Sequence, residues 1–471
     1  MALPGPLAHP YMPNSAAATK QDMLDAVGVA TIDDLYEQIP EDHRLHAPLD
    51  LPDQLVSEVE LQRHLSEILA KNRSCSDNLS FLGGGCWPHY VPAICDEIAS
   101  RSEFFSDVWA GAAPSDMGRN QALFEFCSQI GELIDMDCVS LPTYSWACAT
   151  GNAVRMAARL TGRSQVIVPG TIDPERLAVI RNYCEPEETR SHIEVKTLAW
   201  DAETGQIDLD DLAAKLSTDV AAVYFESPSY LGLVESDGAE ISRLAHETGV
   251  EVIVGVDPIS LGLLAAPADY GADIVVGTIQ PLGVHMNCGG SAGGFIATRD
   301  EERYVREYPT HLLSICGTLE EGEHGFAVAL FEQSSYARRE HANDWMGTFV
   351  HLWAVRSAVY MALMGPGGFS EIGDLIIARS HYAAARISEL DGVRLPFPSG
   401  FFKEFVVNFD GTGKTVSEIN RELRDRDIFG GKDLSSEFPG IGESALYAVT
   451  EVHSQSDIDR LVDALSEVVA R

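Results

Sequence analysis

Short apolar runs of strand length alternate with helical stretches between residues 75 and 330, and this alternation narrows the possible folds more than any other feature. Three of the runs lie at residues 166–168, 221–225 and 252–256, and a helical stretch at 239–247 lies between two of them. Strands that are apolar along their whole length are buried on both faces, as in a parallel sheet whose strands are connected by helices. The sequence therefore predicts an α/β domain with a mostly parallel sheet.

The character of the sequence changes after this domain. A helix-rich span, residues 336–363, is predicted to end at residues 365–368, which read Gly-Pro-Gly-Gly. Two strands and a closing helix follow, and the helix is predicted to start at Ser456, with Asp459 three residues later. These elements predict a small C-terminal α+β domain.

The beginning of the chain reads as an arm with short helices. Residues 57–70 are amphipathic at the helical period, with an apolar face formed by Leu61, Leu65, Ile68 and Leu69. We therefore predict three parts: an N-terminal arm with docking helices at 1–75, a large α/β domain at 76–335 and a C-terminal α+β domain at 336–471.

Charge and cysteine usage exclude several classes of function. The formal net charge of −38 argues against a surface that binds nucleic acid or an anionic membrane, because such a surface needs a basic patch. The nine cysteines are odd in number and form no Cys-x-x-Cys pair, which indicates neither a disulfide framework nor a zinc site. No signal-peptide pattern and no apolar run of 18 residues is present, so a soluble, cytoplasmic chain without a metal is expected.

Several long sequence segments resemble one protein family. They read SFLGGGCWPHYVPA at residues 80–93, DPISLGLL at 257–264 and DYGADIVVG at 269–277. They are similar to glycine dehydrogenase (decarboxylating), the P-protein of the glycine cleavage system, and more narrowly to subunit 1, the alpha chain of its two-chain form. The resemblance covers residues 9–470 and implies the PLP-dependent transferase fold, type I, where PLP is pyridoxal 5'-phosphate.

The resemblance also shows which residue is missing. In PLP enzymes an Asp meets the pyridine nitrogen and a Lys forms the Schiff base. Asp257 follows one strand, but Gln280 stands where the Lys is expected after the next, and an amide cannot form an imine. The family's alpha chain also lacks this Lys, which implies that a partner beta chain holds the PLP covalently. Gln280 is then either a vestigial cofactor position or a solvated loop residue, and Asp257 either a pyridinium partner or a strand-end cap.

The seven lysines offer no clear replacement. Lys403 and Lys432 lie beside apolar or glycine-rich segments, while the other five lie on predicted helix surfaces, in a polar strand or in a turn. A catalytic Lys needs a desolvated pocket that lowers its pKa. Nothing in the sequence places Lys403 or Lys432 in such a pocket, so no catalytic residue is assigned to this chain.

Other residues are candidates for lining a cleft or binding a cofactor. The backbone N–H groups of Gly83, Gly84 and Gly85 form either a phosphate cradle or a simple turn. Arg338 and Arg339 hold a phosphate or carboxylate, or they belong to an ion-pair cluster on a helix surface. The family context places three further aromatic or polar candidates near an intersubunit active site: His89, Tyr90 and Tyr144.

Several loop segments depart from the family pattern. They lie at residues 112–118, 144–148, 227–232 and 344–350, and two of them introduce Trp146 and Trp345. If both tryptophans face the cleft, they narrow the place where substrate and carrier meet. Because loops carry function on a rigid frame, an altered substrate or carrier is one explanation, and neutral drift in a non-catalytic subunit is the other.

The resemblance implies a function for the whole assembly. In this family glycine loses its carboxylate on PLP, and the aminomethyl group passes to the lipoyl disulfide of a small carrier, the H-protein. The chain is expected to be the alpha subunit of such a decarboxylase, an oxidoreductase, and to complete the active site of the beta subunit in an α2β2 assembly. The alternatives are a subunit of a P-protein-like PLP enzyme that acts on a different amino acid, or a purely structural partner subunit.

Overall fold

The computed structural model describes residues 11–12, 15–47, 49–104, 117–187, 191–286, 293–329, 331–347 and 350–470. The chain divides into two compact units, Met1–Arg73 and Ser74–Arg471. The predicted large and C-terminal domains both fall in the second unit, and a boundary between them at residue 335 stays a prediction. Within the described ranges, no helix is long and apolar enough to cross a membrane.

The described ranges contain the following elements. The helices are α1 (Ala17–Val27), α2 (Glu58–Leu69), α3 (Ala93–Ala99), α4 (Met117–Ile134), α5 (Trp146–Thr161), α6 (Pro174–Cys184), α7 (Leu209–Lys215), α8 (Gly238–Glu247), α9 (Glu302–Val305), α10 (Ser335–Arg338), α11 (His351–Ser388), α12 (Val416–Arg424) and α13 (Gln455–Val469). The strands are β1 (Leu79–Ser80), β2 (Cys138–Val139), β3 (Gln165–Pro169), β4 (Glu194–Leu198), β5 (Val220–Glu226), β6 (Glu251–Val256), β7 (Ile274–Thr278), β8 (Gly294–Thr298), β9 (Leu312–Gly317), β10 (His324–Ala329), β11 (Glu404–Asn408), β12 (Ile428–Phe429), β13 (Lys432–Asp433) and β14 (Ser444–Ala448).

The large sheet has seven strands in the order β2-β8-β7-β6-β5-β3-β4. Strands β4, β3, β5, β6 and β7 run parallel to one another, while β8 is antiparallel to both of its neighbours. The prediction of a mostly parallel sheet is therefore confirmed.

The apolar strands of this sheet serve two separate cores, one on each face. In β6, Val252 and Val254 pack into one core, whereas Ile253 packs into the other. In β5, Val223 and Tyr224 divide between the two cores in the same way. Successive side chains of a strand point to opposite faces, so a strand covered on both sides needs apolar residues at nearly every position.

The C-terminal part contains a three-stranded antiparallel sheet in the order β11-β14-β13, and α12 and α13 pack against it in a third core. The N-cap of helix α13, Ser454, lies two residues before the predicted position. Its first turn is closed by a capping box between Ser454 and Asp457. The Ser-x-x-Asp pattern occurs twice here, two residues apart, and the predicted pair Ser456 and Asp459 is the one that does not cap the helix.

The helix end predicted at residues 365–368 coincides with a break in α11, and a second helical segment follows directly. Helix α11 runs to Ser388 and is interrupted only at Gly365, which has φ 55° and ψ −178°. Pro366 then opens the second segment, where a fixed φ and a missing N–H group are tolerated. The helix-rich span predicted from residue 336 contains α10 and then α11, which begins at His351.

The helix predicted near residues 57–70 is present as α2 in the first unit. Ser57 caps it by accepting a hydrogen bond from the backbone N–H of Glu60 at 3.4 Å. Its apolar face lies open to solvent, with exposed fractions of 42, 47, 47 and 61% for Leu61, Leu65, Ile68 and Leu69.

Candidate functional site

A small cavity lies where β5 and β6 end and where the chain enters β11. Its volume is about 20 Å³, which is room for about one water molecule. The residues that line it come from distant parts of the second unit: Gly85, Trp87, Trp146, Arg176, Glu226, Pro228, Ser229, Tyr230, Gly232, Asp257, Lys403 and Glu404.

A buried ion pair forms one wall of this cavity. Asp257 directly follows β6, and Lys403 directly precedes β11. The Nζ atom of Lys403 lies 2.7 Å from Oδ2 of Asp257, and the two residues are 2 and 3% exposed. The other carboxylate oxygen of Asp257 accepts the backbone N–H of Ile259 at 3.2 Å and so caps the short 3₁₀ helix Pro258–Gly262.

The ammonium group of Lys403 has two further partners. Its Nζ lies 3.4 Å from the ring centroid of Trp87 and 3.0 Å from Nε2 of His89. Because an ammonium only donates, Nε2 of His89 must accept, and the ring proton therefore lies on Nδ1. Nδ1 is 2.8 Å from Oε2 of Glu451 and donates to it. Burial lowers the pKa of Lys403, and the charge of Asp257 opposes that shift.

The pKa values of two carboxyl groups near this pair are shifted in opposite directions. Burial raises the pKa of Glu404 to about 7, although the backbone N–H of Gly84 donates to its Oε1 at 2.6 Å. Burial also raises the pKa of Glu451, but its interactions with His89 and the N–H of Tyr90 outweigh that effect and bring the pKa to about 2. Glu451 is thus an anion at neutral pH, whereas Glu404 is balanced between its two forms.

The glycine triplet receives a carboxylate of the protein itself. A Cβ atom at Gly83 would lie 2.0 Å from Oε1 of Glu404, so only glycine allows this approach. Gly84 and Gly85 have φ values of +93° and +102°, which glycine adopts readily. Because the N–H of Gly84 already donates to Glu404, it is not available to a phosphate in this arrangement. The predicted phosphate cradle stays a prediction.

A second buried ion pair lies on the opposite side of the cavity. Arg176 of α6 donates to Glu226 at the end of β5 at 2.5 Å, and Tyr224 donates to the same oxygen at 2.7 Å. The guanidinium carbon of Arg176 stacks 3.9 Å from the ring centroid of Trp146, the first residue of α5. Trp146 is 5% exposed, so its indole is buried and forms part of the cavity wall.

Gln280 is a buried residue that holds the backbone of Trp87. Its Oε1 accepts the N–H of Trp87 at 3.2 Å, and its Nε2 donates to the carbonyl of Trp87 at 3.2 Å and to that of Val284 at 3.3 Å. The interpretation of Gln280 as a solvated loop residue is therefore wrong, because the side chain is enclosed and fully hydrogen-bonded.

The remaining sequence candidates lie away from the cavity wall. Tyr90 and Tyr144 are 65 and 42% exposed. Arg338 and Arg339 are exposed on a separate segment, α10 and the turn after it, and Arg339 has a φ of +51°. The structure thus gathers Gly85, His89, Asp257 and Gln280 around Trp87 but leaves the two arginines outside.

The two tryptophans that replace family residues have different surroundings. Trp146 lines the cavity, whereas Trp345 packs edge-on against His311, with ring centroids 4.5 Å apart, and is not among the lining residues. Of the two, only Trp146 therefore borders this cavity, and a narrowing of the cleft for substrate and carrier by both tryptophans stays a prediction. Residues 112–116 and 348–349 of the changed segments lie outside the described residues.

Sequence reasoning missed the residues that complete the site. Lys403 was one of two lysines in a less ordinary setting, and the signal that sets it apart is a charged Lys403-Glu404 pair between apolar residues of a buried strand. Arg176 and Glu226 gave no sequence signal. Among the described residues, no group of three or more His, Cys, Asp or Glu side chains is placed to hold a metal ion.

The fold and the site together define a class. A mostly parallel sheet, a small antiparallel C-terminal sheet and an Asp after a central strand are the arrangement of the fold type I class of PLP-dependent enzymes. A sphingosine-1-phosphate lyase of Burkholderia pseudomallei has this fold at TM-score 0.66 and 15% identity, covering 90% of this chain and 93% of its own. A NifS-like protein matches at TM-score 0.62 and 12% identity, covering 83% and 99%. The predicted fold class is confirmed.

Closer relatives define the family. The family model of the glycine cleavage system P-protein matches residues 9–465. A probable glycine dehydrogenase (decarboxylating) subunit 1 of Staphylothermus marinus is 36% identical and covers 98% of both chains. Its counterpart in Pyrococcus horikoshii is 37% identical and covers 98% of this chain and 99% of its own. A crystal structure of the glycine decarboxylase (P-protein) in inhibitor-bound form has TM-score 0.85 at 32% identity, covering 96% and 98%.

The chain belongs to the glycine cleavage system P-protein family. The resemblance in the sequence strings is thereby confirmed, and the chain is a subunit of an enzyme in a family that uses PLP.

The cavity of this chain does not fit PLP. Cofactor pockets have volumes of about 300–1,000 Å³, against about 20 Å³ here. Gln280, at the position predicted for the imine, is an amide, Asp257 already pairs with Lys403, and the two basic residues that line the cavity, Lys403 and Arg176, are both in ion pairs. No step of the family's chemistry is therefore assigned to this cavity.

The raised pKa of Glu404 makes a prediction about stability. Its folded pKa of about 7 lies above the ordinary value of 4.5. Between these values the folded carboxyl keeps a proton that the unfolded one has released, so stability falls as pH rises, by on the order of 3 kcal/mol in total. We expect Glu404→Gln to flatten the decrease of Tm between about pH 5 and about pH 8 in thermal unfolding. Glu451→Gln is the control, because Glu451 is ionised in both states across that window; equal slopes for Glu404→Gln and the unmodified chain would contradict the assignment.

Proposed function

We propose that this chain is the alpha subunit, without the Schiff-base lysine, of a PLP-dependent glycine decarboxylase of the P-protein type. It completes the active site of a partner beta subunit, which holds the PLP covalently. The observation that carries this proposal is the small cavity beside Trp87, whose backbone is held by Gln280, in a chain that matches the family over residues 9–465. A subunit without a usable cofactor site acts through a partner.

The family relationship supports the remaining parts of the assembly. The relatives named subunit 1 imply a second subunit, and they match this chain over 98% of its length. We infer an α2β2 assembly with glycine as the substrate and a lipoylated H-protein as the acceptor of the aminomethyl group. The chain's own contribution is positional: Tyr90 and Tyr144 present phenol groups at the surface, while His89 stays buried behind Glu451.

A purely structural role is the second candidate. It is favoured because both cations that line the cavity, Lys403 and Arg176, already have a carboxylate partner in this chain. In that case this chain supports the fold of the beta subunit and supplies no group to its chemistry. The two candidates differ in whether surface residues of this chain affect turnover.

The assembled enzyme provides the test of the proposed reaction. The chain is purified together with its beta subunit, and release of CO2 is measured across amino acids with lipoylated H-protein present. We expect turnover of glycine, and borohydride reduction should attach PLP to the beta subunit. Attachment of PLP to this chain would contradict the proposed division of labour. Turnover of another amino acid in place of glycine would point to a specialised pathway enzyme.

Surface residues decide between the catalytic and the structural candidate. We expect Tyr90→Phe to lower kcat of the assembled enzyme by about tenfold or more, as for loss of one positioned hydrogen-bond donor. Arg338→Ala should raise KM for substrate or carrier if its guanidinium meets an anion. Arg306→Ala is the control, because Arg306 is an exposed arginine on a different segment. Unchanged kinetics for both test variants would favour the structural candidate.

The exposed face of α2 predicts where a partner binds. Four apolar side chains on one helical face are costly to leave in water, and obligate interfaces cover such faces. We expect Leu65→Ser with Ile68→Ser to weaken co-purification with the beta subunit by about tenfold or more, since each buried leucine-sized side chain contributes roughly 1.5–3 kcal/mol. Leu319→Ser at the fully exposed tip of the β9–β10 hairpin is the control. Equal recovery of the beta subunit with both variants would show that α2 is not part of the interface.

A further inference from the structure

The buried ammonium of Lys403 has a complete set of partners. An ammonium carries three donor N–H groups and no acceptor. Here it faces the carboxylate of Asp257 at 2.7 Å, the ring nitrogen of His89 at 3.0 Å and the ring of Trp87 at 3.4 Å. Three groups that attract a cation thus surround this nitrogen: a carboxylate, a ring nitrogen and an aromatic face.

The position of this nitrogen is chemically specific. Asp257 follows β6, where PLP enzymes place the acid that meets the protonated pyridine nitrogen. We propose that Lys403 is a built-in substitute for the cofactor: its ammonium supplies the cation that Asp257 requires and keeps the pocket closed without a ligand. This inference rests on the proposed function, in which the partner subunit holds the cofactor. The inference itself concerns only residues of this chain.

The other cation that lines the cavity is also paired with a carboxylate of this chain. Arg176 pairs with Glu226 and covers the face of Trp146, so the opposite wall also carries its own cation. Lys403 leads into β11, whereas Asp257 and Trp87 belong to the part of the unit built on the large sheet. The ammonium therefore also links the start of β11 to the carboxyl end of β6, a central strand of that sheet.

Removing the lysine side chain should create a binding site for a small organic cation. In Lys403→Ala the lost atoms are three methylenes and an ammonium, which match n-propylammonium, and the space they leave is bordered by Asp257 and Trp87. A buried carboxylate without a cation is strongly destabilising. We expect Lys403→Ala in the full-length chain to unfold about 5 °C or more below the unmodified chain. Added n-propylammonium should restore part of that loss in a concentration-dependent way.

Three controls separate charge from volume. Neutral 1-propanol, of the same length, should not stabilise Lys403→Ala. The double variant Lys403→Ala with Asp257→Asn should gain nothing from n-propylammonium, because the carboxylate is gone. Lys432→Ala should also show no rescue, since Lys432 pairs with Glu437 at a partly exposed site beside Tyr230.

A second pair of variants keeps the test valid if Lys403→Ala does not fold. Lys403→Met leaves Asp257 unpaired in a filled pocket, and adding Asp257→Asn removes the stranded charge. We expect the double variant to unfold at a higher temperature than Lys403→Met alone. The proposal is overturned if Lys403→Met is as stable as the double variant, or if n-propylammonium stabilises Lys403→Ala equally with and without Asp257. These readouts need no beta subunit, so their failure is distinct from failure of glycine turnover in the assembled enzyme.

Discussion

The cost of burying charge governs the centre of this molecule. Each ion withdrawn from water costs several kcal/mol unless a partner and hydrogen bonds replace the solvent. Here Asp257 pairs with Lys403 at 2.7 Å, and Glu226 pairs with Arg176 at 2.5 Å. The partners come from the ends of β5 and β6 on one side and from α6 and the entry to β11 on the other. Because an unpaired ion would be so unfavourable, the contact between Asp257 and Lys403 fixes where the start of β11 meets the carboxyl end of β6.

The sequence allowed the sheet to be predicted because its signal is local. Residues 221–225 and 252–256 are apolar at every position except glycine, which is what burial on both faces demands. Where two local signals overlap, the outcome depends on packing. The two Ser-x-x-Asp patterns before α13 are such a case, because the earlier pair, Ser454 and Asp457, caps the helix in place of the predicted one.

The candidate site was only partly predictable, because it is assembled from residues far apart in sequence. Asp257 and the loop with His89 were found through the family resemblance. Lys403 lies 314 residues from His89, and no local pattern indicates that the two side chains meet. Its neighbour Glu404 fills the glycine triplet that the sequence had suggested for a phosphate. Long-range pairing of charges decides such a site, and periodicity carries no information about it.

The hydrogen bonds of Gln280 restrict which side chains can stand at position 280. Its amide both donates to and accepts from the backbone of Trp87, and Trp87 in turn covers the ammonium of Lys403. A lysine restored at position 280 would leave the N–H of Trp87 without an acceptor and would meet a pocket that is already full. Position 280 is thus coupled to Trp87 and Lys403: a lysine there becomes compatible with the structure only if these neighbours change with it.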